Sequence, residues 1–227
     1  MNKSNIMCYY VDGKLTRKDI KEVFNVQTDF PEFNGEKMLS GFRAKGTVDK
    51  PLPIIADENP DTSVLGDWGL LPFFAKDRSF QAKTLNAVIE ELDTKNSYKN
   101  SINKRCLVLV NGFYEWRTLD KFGNPDPDGK VKQLHRIHLD NGNKPFALAG
   151  IYNVWNDIIT FSICTTKANT LMADIHNSKK RMPVVLNDAD HGKWLNNPNY
   201  LDFAHPNYAV PLLMENLEPN KSPQTLF

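Results

Sequence analysis

Cysteine is scarce in this chain, with three residues at positions 8, 106 and 164 among 227. No two form a Cys-x-x-Cys pair and three cannot all pair internally, which argues against a disulfide framework and a structural zinc site. An excess of one charge is missing too. The 28 Lys and Arg against 27 Asp and Glu leave a net charge of +1. No global field advertises nucleic-acid binding, so any such contact needs local clustering of cations. The chain has no apolar run of 18 residues, and Met1–Met7 is too short and polar for a signal peptide. Neither an internal repeat nor a low-complexity tract is present. The reading is a soluble, cytoplasmic protein without a membrane partner, and its 41% hydrophobic content supplies a real core. The length suits one large domain or two small ones.

Periodicity and turn residues sketch the elements. Thr16-Arg-Lys-Asp19 resembles a capping box, and Ile20, Val23 and Phe24 follow at helical spacing, predicting a helix over 16–26. Pro51-Leu-Pro-Ile-Ile reads as an edge strand because proline cannot complete a central ladder. A second helix is predicted over 83–98. Strands are predicted at 105–110, 113–117 and 132–139, then at 145–155 and 158–165 after an Asn141-Gly142 turn. Residues 124–129 form a loop tip. A helix is expected over 167–175, a strand at 182–186, and a last helix over 188–196 capped by Asp188. The tail from about 205 to 227 is expected to wrap the surface. Strands punctuated by scattered helices, without regular βαβ alternation, indicate α+β with a largely antiparallel sheet.

Glu115 is the conspicuous side chain. It sits in Cys106-Leu-Val-Leu-Val-Asn-Gly-Phe-Tyr-Glu115-Trp116, otherwise apolar and aromatic. Desolvating a carboxylate is costly, so the group must be paired, hydrogen-bonded or shifted toward its neutral form. That makes it an acid–base candidate or a structural ion pair. Cys8 directly follows Met7. If residues 1–7 are absent or removed, Cys8 offers an amine and a thiol on adjacent carbons. The α-amine, with a pKa of about 7.7–8.0, is partly neutral near pH 7. Amine and aldehyde give a Schiff base, and the thiolate then closes a thiazolidine ring. The alternative is an ordinary strand cysteine. His176 ends the predicted 167–175 helix, as a dipole partner or a proton carrier. Asn86 serves as a helix cap or turn former, or within a site. Trp68-Gly-Leu-Leu-Pro72-Phe-Phe is a core-packing turn, or its aromatics stack on unpaired bases. Lys179-Lys-Arg181 is a solvated patch or a phosphate contact.

The order of these segments carries a resemblance. Met7-Cys8, Trp68-Gly-Leu-Leu-Pro72, Asn86-Ala87 with Glu90, Gly112-Phe-Tyr-Glu115-Trp116, Ala149-Gly-Ile-Tyr152 and Ile175-His176 before Arg181-Met-Pro-Val-Val-Leu186 follow one another colinearly. The series, over about 7–196, resembles the SOS-response-associated peptidase (SRAP) family, the abasic-site processing proteins. The resemblance implies one α+β domain over 1–227, with curved, mostly antiparallel sheets around a central site and peripheral helices. It implies an SOS and DNA-damage role: crosslinking to abasic sites in single-stranded DNA as a thiazolidine, with autopeptidase and lyase-like activity. Cys8 is then the nucleophile exposed by loss of residues 1–7. Asn86 orients the amine, Glu115 shuttles protons, and His176 assists opening of the deoxyribose ring. No cofactor or metal is implied, and replication-associated proteins are a further expected partner.

This chain departs from the family pattern at several positions. Tyr9-Tyr10 stands where Gly-Arg is usual, and Val88 replaces an arginine expected on a phosphate. About three extra residues separate His176 from Arg181-Met-Pro. No Asn-x-Ala-Pro motif is present, and Gly41-Phe-Arg43-Ala-Lys45 stands in its place. Arg43, Lys45, Trp68, Lys179 and Arg181 are the candidate DNA contacts. The rival readings are a cysteine peptidase using Cys8 and His176, and a non-catalytic single-stranded nucleic-acid-binding module.

Overall fold

Thr16 caps the first helix by both bonds of a capping box: its hydroxyl accepts from the Asp19 N–H, and the Asp19 carboxylate accepts from the Thr16 N–H at 2.8 Å. The structure, a computed structural model, describes residues 10–31, 39–40 and 51–218. In chain order the elements are β1 (Tyr10–Asp12), α1 (Arg17–Phe24), β2 (Gln27–Thr28), β3 (Leu39–Ser40), β4 (Leu52–Ala56), β5 (Thr62–Trp68), β6 (Asn86–Val88), β7 (Arg105–Val110), β8 (Gly112–Leu119), β9 (Val131–His138), β10 (Phe146–Trp155), β11 (Ile158–Lys167), α2 (Thr170–Ile175), β12 (Arg181–Pro183), β13 (Val185–Leu186), α3 (His191–Asn196) and β14 (Leu213–Asn216).

Two sheets organise the fold, which is α+β with few helices. One has the order β14-β9-β8-β1-β3. The other runs β12-β11-β10-β7-β4-β5-β2, with β13 on β10 and β6 on β11. A further parallel contact between β5 and β11, with Phe161 opposite Trp68, joins β4, β5, β7, β10 and β11 into a ring. Closure satisfies ladder groups that an open sheet leaves unpaired. Pairing is antiparallel except for β2–β5, β5–β11 and β6–β11. Val11, Phe113 and Ile137 of the first sheet share a core with Ile54, Val108, Leu148 and Phe161 of the ring. Leu107, Leu109 and Ala147 on the opposite face pack with Ile20 of α1 and Trp194 of α3. All six residues of β7 are buried, and after Arg105 they read as an unbroken apolar run over 106–110.

Several elements differ from their predictions. The 83–98 helix is absent: β6 is a strand, with Asn86 opposite Ile163 and Val88 opposite Thr165, followed by a short 3-10 turn at Ile89–Glu91. Asn86 therefore neither caps nor enters a helix. β4 lies inside the sheet between β5 and β7. It tolerates Pro53 because β7 pairing begins only at Ile54. Asn111-Gly112 and Asn141-Gly142 both occur where the chain changes sheet, β7 to β8 and β9 to β10. The 182–186 strand divides into β12 and β13. The 188–196 helix is a 3-10 turn leading into α3, and Asp188 does not cap it. Part of the tail pairs as it crosses the surface: β14 adds to β9 at the sheet edge, with Leu213 opposite His138 and its residues exposed or half-buried.

Candidate active site

Glu115 lies in the middle of β8, opposite His135 of β9, and is 5% exposed. Strand alternation sends its side chain to the same face as Phe113 and Arg117. α2 packs on that face. Its N-terminus is capped by the Asn169 side chain, which accepts from the Met172 N–H at 2.9 Å. Its end is tied to β8 through two residue pairs. Arg117 forms an ion pair with Asp174. Asn177 bonds Thr118 in both directions, accepting from its N–H at 3.0 Å and donating to its carbonyl at 2.8 Å. Between these, His176 Nδ1 stands 3.9 Å from Glu115 Oε1.

His176 is 6% exposed, and its Nδ1 lies 3.0 Å from the Arg181 carbonyl oxygen. A carbonyl only accepts, so Nδ1 carries the hydrogen and Nε2 is the basic nitrogen of the neutral ring. Burial holds the imidazole below its ordinary pKa; the Arg181 carbonyl opposes this, while the Lys179 and Lys132 charges add to it. The ring is uncharged at neutral pH, and its surroundings disfavour the protonated form. The groups facing it are Glu115 on β8, Lys132 on β9, and Lys179 in the following loop.

The first described strand lies beside β8. β1 runs antiparallel to β8 with Tyr10 opposite Tyr114, one residue short of Glu115. The Tyr10 ring meets Trp116 edge-on at 4.9 Å, on the face opposite Glu115. Asp12 and Arg136 form a buried ion pair at 3.2 Å beneath them. Next to it, burial and the Asp12 charge push Tyr114 up to about 12. Cys8 and residues 1–7 lie outside the described residues, as do Arg43 and Lys45.

Asn86 lies on β6, opposite Ile163 of β11. Its backbone carbonyl accepts from the Tyr98 hydroxyl at 2.9 Å. Glu90, just beyond β6, is bonded bidentately by Arg181, at 2.8 Å and 3.3 Å. The Arg181 guanidinium also donates to the Thr165 carbonyl at 2.8 Å. Glu90 further accepts from the Thr166 hydroxyl at 2.9 Å. Burial alone would raise the Glu90 pKa, but the Arg181 bond and charge hold it below the ordinary carboxylate range. Arg181 is therefore engaged inside the protein, which corrects its expected role as a freely available phosphate contact. Lys179 is half-buried beside His176.

Trp68 is corrected as well. It is 1% exposed, with its indole N–H donating to the Leu85 carbonyl at 2.7 Å. It cannot stack on a base. Instead it anchors the turn that follows. Gly69 has φ +109°, and a Cβ there would lie 2.6 Å from the Gln81 Cβ. The Leu71 N–H bonds Thr160 and the Leu71 carbonyl bonds Asn153. This turn presents Phe73 and Phe74, which are 73% and 43% exposed, beside exposed Lys76 and Lys99. Sequence reading placed these two rings in the same aromatic turn but took Trp68 as the stacking face. It missed His135, buried opposite Glu115 with its Nδ1 3.1 Å from the Gln133 carbonyl. Strand alternation with Ile137 was the available signal for His135.

Fold and site together define an α+β protein in which a buried carboxylate and a neutral imidazole meet on a sheet packed against a closed strand ring. The chain belongs to the SOS response associated peptidase (SRAP) family, whose profile matches residues 7–218. It is 38% identical over 201 residues to the abasic site processing protein YoqW of Bacillus subtilis, covering 86% of this chain and 81% of that one. It is 28% identical over 186 residues to the abasic site processing protein HMCES of Gallus gallus, covering 73% and 52%. A solved structure from Bacteroides thetaiotaomicron superposes with a TM-score of 0.77 at 25% identity, covering 92% of this chain and 91% of that one. One from Bordetella bronchiseptica, 19% identical, shares the fold with a TM-score of 0.69 over 92% and 99%.

Proposed function

We propose that this protein processes abasic sites in single-stranded DNA by capturing them covalently through Cys8, once residues 1–7 are absent or removed. The observation that carries the reading is the meeting of Glu115 and His176, 3.9 Å apart, where β1 begins, in a chain whose relatives are named for abasic-site processing. Cys8 is two residues before Tyr10, so chain length limits it to about 7 Å from that residue. The family match begins at residue 7, directly before Cys8, which supports treating this cysteine as the functional start.

In this reading His176 moves a proton from the sugar C1 hydroxyl to the ring oxygen, opening the hemiacetal to an aldehyde. The Cys8 amine adds to the aldehyde carbon. Glu115 then delivers a proton to the departing hydroxyl, and water leaves as the imine forms. The Cys8 sulfur adds to the imine carbon, its proton passing to nitrogen, and closes a thiazolidine. The net loss is one water. Asn86 orients the amine. Lys179 and Lys132 stand by His176 as phosphate contacts, and Phe73 and Phe74 offer stacking faces for flanking bases.

The test is a denaturing gel with a uracil-containing single strand treated with uracil glycosylase. A covalent shift that Cys8→Ala abolishes supports the proposal, and an undiminished shift in that variant ends it. Intact-mass measurement of the natively expressed protein reports whether residues 1–7 are lost.

A further inference from the structure

The Arg181 carbonyl that receives the His176 Nδ1–H does not hold its position by its own strand pairing alone. β12 contributes a short pairing, Lys167 opposite Arg181 through Thr165 opposite Pro183. The Arg181 side chain folds back across β11 to Thr165 and Glu90. Glu90 is itself fixed by the Thr166 hydroxyl and by the Lys167 N–H at 3.3 Å. The chain of contacts runs Thr166–Glu90–Arg181–His176 and ends 3.9 Å from Glu115.

We propose that Glu90 is a positioning residue for His176. By clamping the Arg181 guanidinium it fixes the carbonyl that binds Nδ1–H, and so selects the tautomer whose Nε2 exchanges protons. A bidentate arginine–carboxylate pair suits this task because it sets direction as well as distance. The same arrangement holds many functional imidazoles, where a second group fixes the tautomer through the nitrogen not used in chemistry. In this chain Val88 and the extra residues before Arg181 stand where the family pattern is broken, and the Glu90–Arg181 pair spans that region. The kinetic arm of the proposal rests on the abasic-site reading above, whereas the tautomer arm does not.

The decisive measurement is long-range 1H–15N correlation of the imidazole in the full chain, with His176 assigned by comparison with His176→Gln. In the wild-type protein Nδ1 is expected to show the protonated shift and Nε2 the unprotonated one. The reverse pattern overturns the proposal without any variant at the clamp. In Glu90→Gln the two tautomers are expected to mix, and crosslinking to an abasic single strand to slow about tenfold to a hundredfold. Glu90→Asp is expected to recover the wild-type tautomer and part of the rate. An unchanged tautomer with a rate within about twofold in a folded Glu90→Gln refutes the assignment. If the wild-type protein forms no crosslink, the abasic-site reading falls, while the tautomer result still decides the role of Glu90.

Discussion

Stability and strand binding should separate cleanly between Trp68 and Phe73. Trp68→Phe keeps most of the buried ring but removes the indole N–H, leaving the Leu85 carbonyl with the Ile163 N–H at 3.1 Å as its remaining donor. Loss of one such hydrogen bond costs about 0.5–1.5 kcal/mol. For a chain of this length, each kcal/mol lowers Tm by about 2–4 °C. The loss should appear in urea or thermal denaturation, with affinity for undamaged single strands unchanged. Phe73→Ala should do the opposite. The ring is 73% exposed, so removal should change stability by no more than about 0.5 kcal/mol. Loss of one stacking face should cost about 1–3 kcal/mol of binding, which is about 5-fold to 150-fold in Kd. Fluorescence anisotropy of a labelled undamaged strand, beside the melts, reads both. Weakened strand binding by a fully stable Trp68→Phe would refute the assignment of Trp68 to the core and of Phe73 to the ligand.

Three more outcomes can be checked. Burial holds His135, His176 and His191 below their ordinary pKa, so the unfolded chain binds protons more readily as pH drops below about 6.5. Stability should be full above that pH and fall below it, by up to about 1.4 kcal/mol per pH unit for each histidine. A urea midpoint that is flat from pH 7.5 to 5.5 would exclude this. Gly69→Ala should destabilise by about 2 kcal/mol or more, since its φ of +109° and the 2.6 Å approach to Gln81 leave no room for a methyl group; an unchanged melt contradicts it. Glu115→Gln should slow crosslinking by about a hundredfold or more while affinity for undamaged strands stays within about twofold. Equal losses in both would remove its proton-transfer role.

Local chemistry was readable wherever a few adjacent residues decide the outcome. The Thr16–Asp19 capping box specified α1, and the β-branched and aromatic runs specified β7, β10 and β11 within a residue or two. Glu115 was conspicuous because a carboxylate in an apolar strand is costly wherever that strand ends up. What one segment does to another was not readable. Residues 86–88 carry a helix-like pattern, yet β11 was free to pair with them, and ladder bonds with a buried partner outweigh weak local propensity. β5 escaped notice until its contact with β11 closed the ring. Arg181 was read as a surface cation because its neutralising carboxylate, Glu90, lies 91 residues away. His176 became a partner of Glu115 only through α2, which Arg117 and Thr118 hold against β8. Backbone propensity and desolvation act along the chain and are written in neighbouring residues. Ion pairing, strand closure and the tautomer of an imidazole depend on distances across space, which packing alone sets.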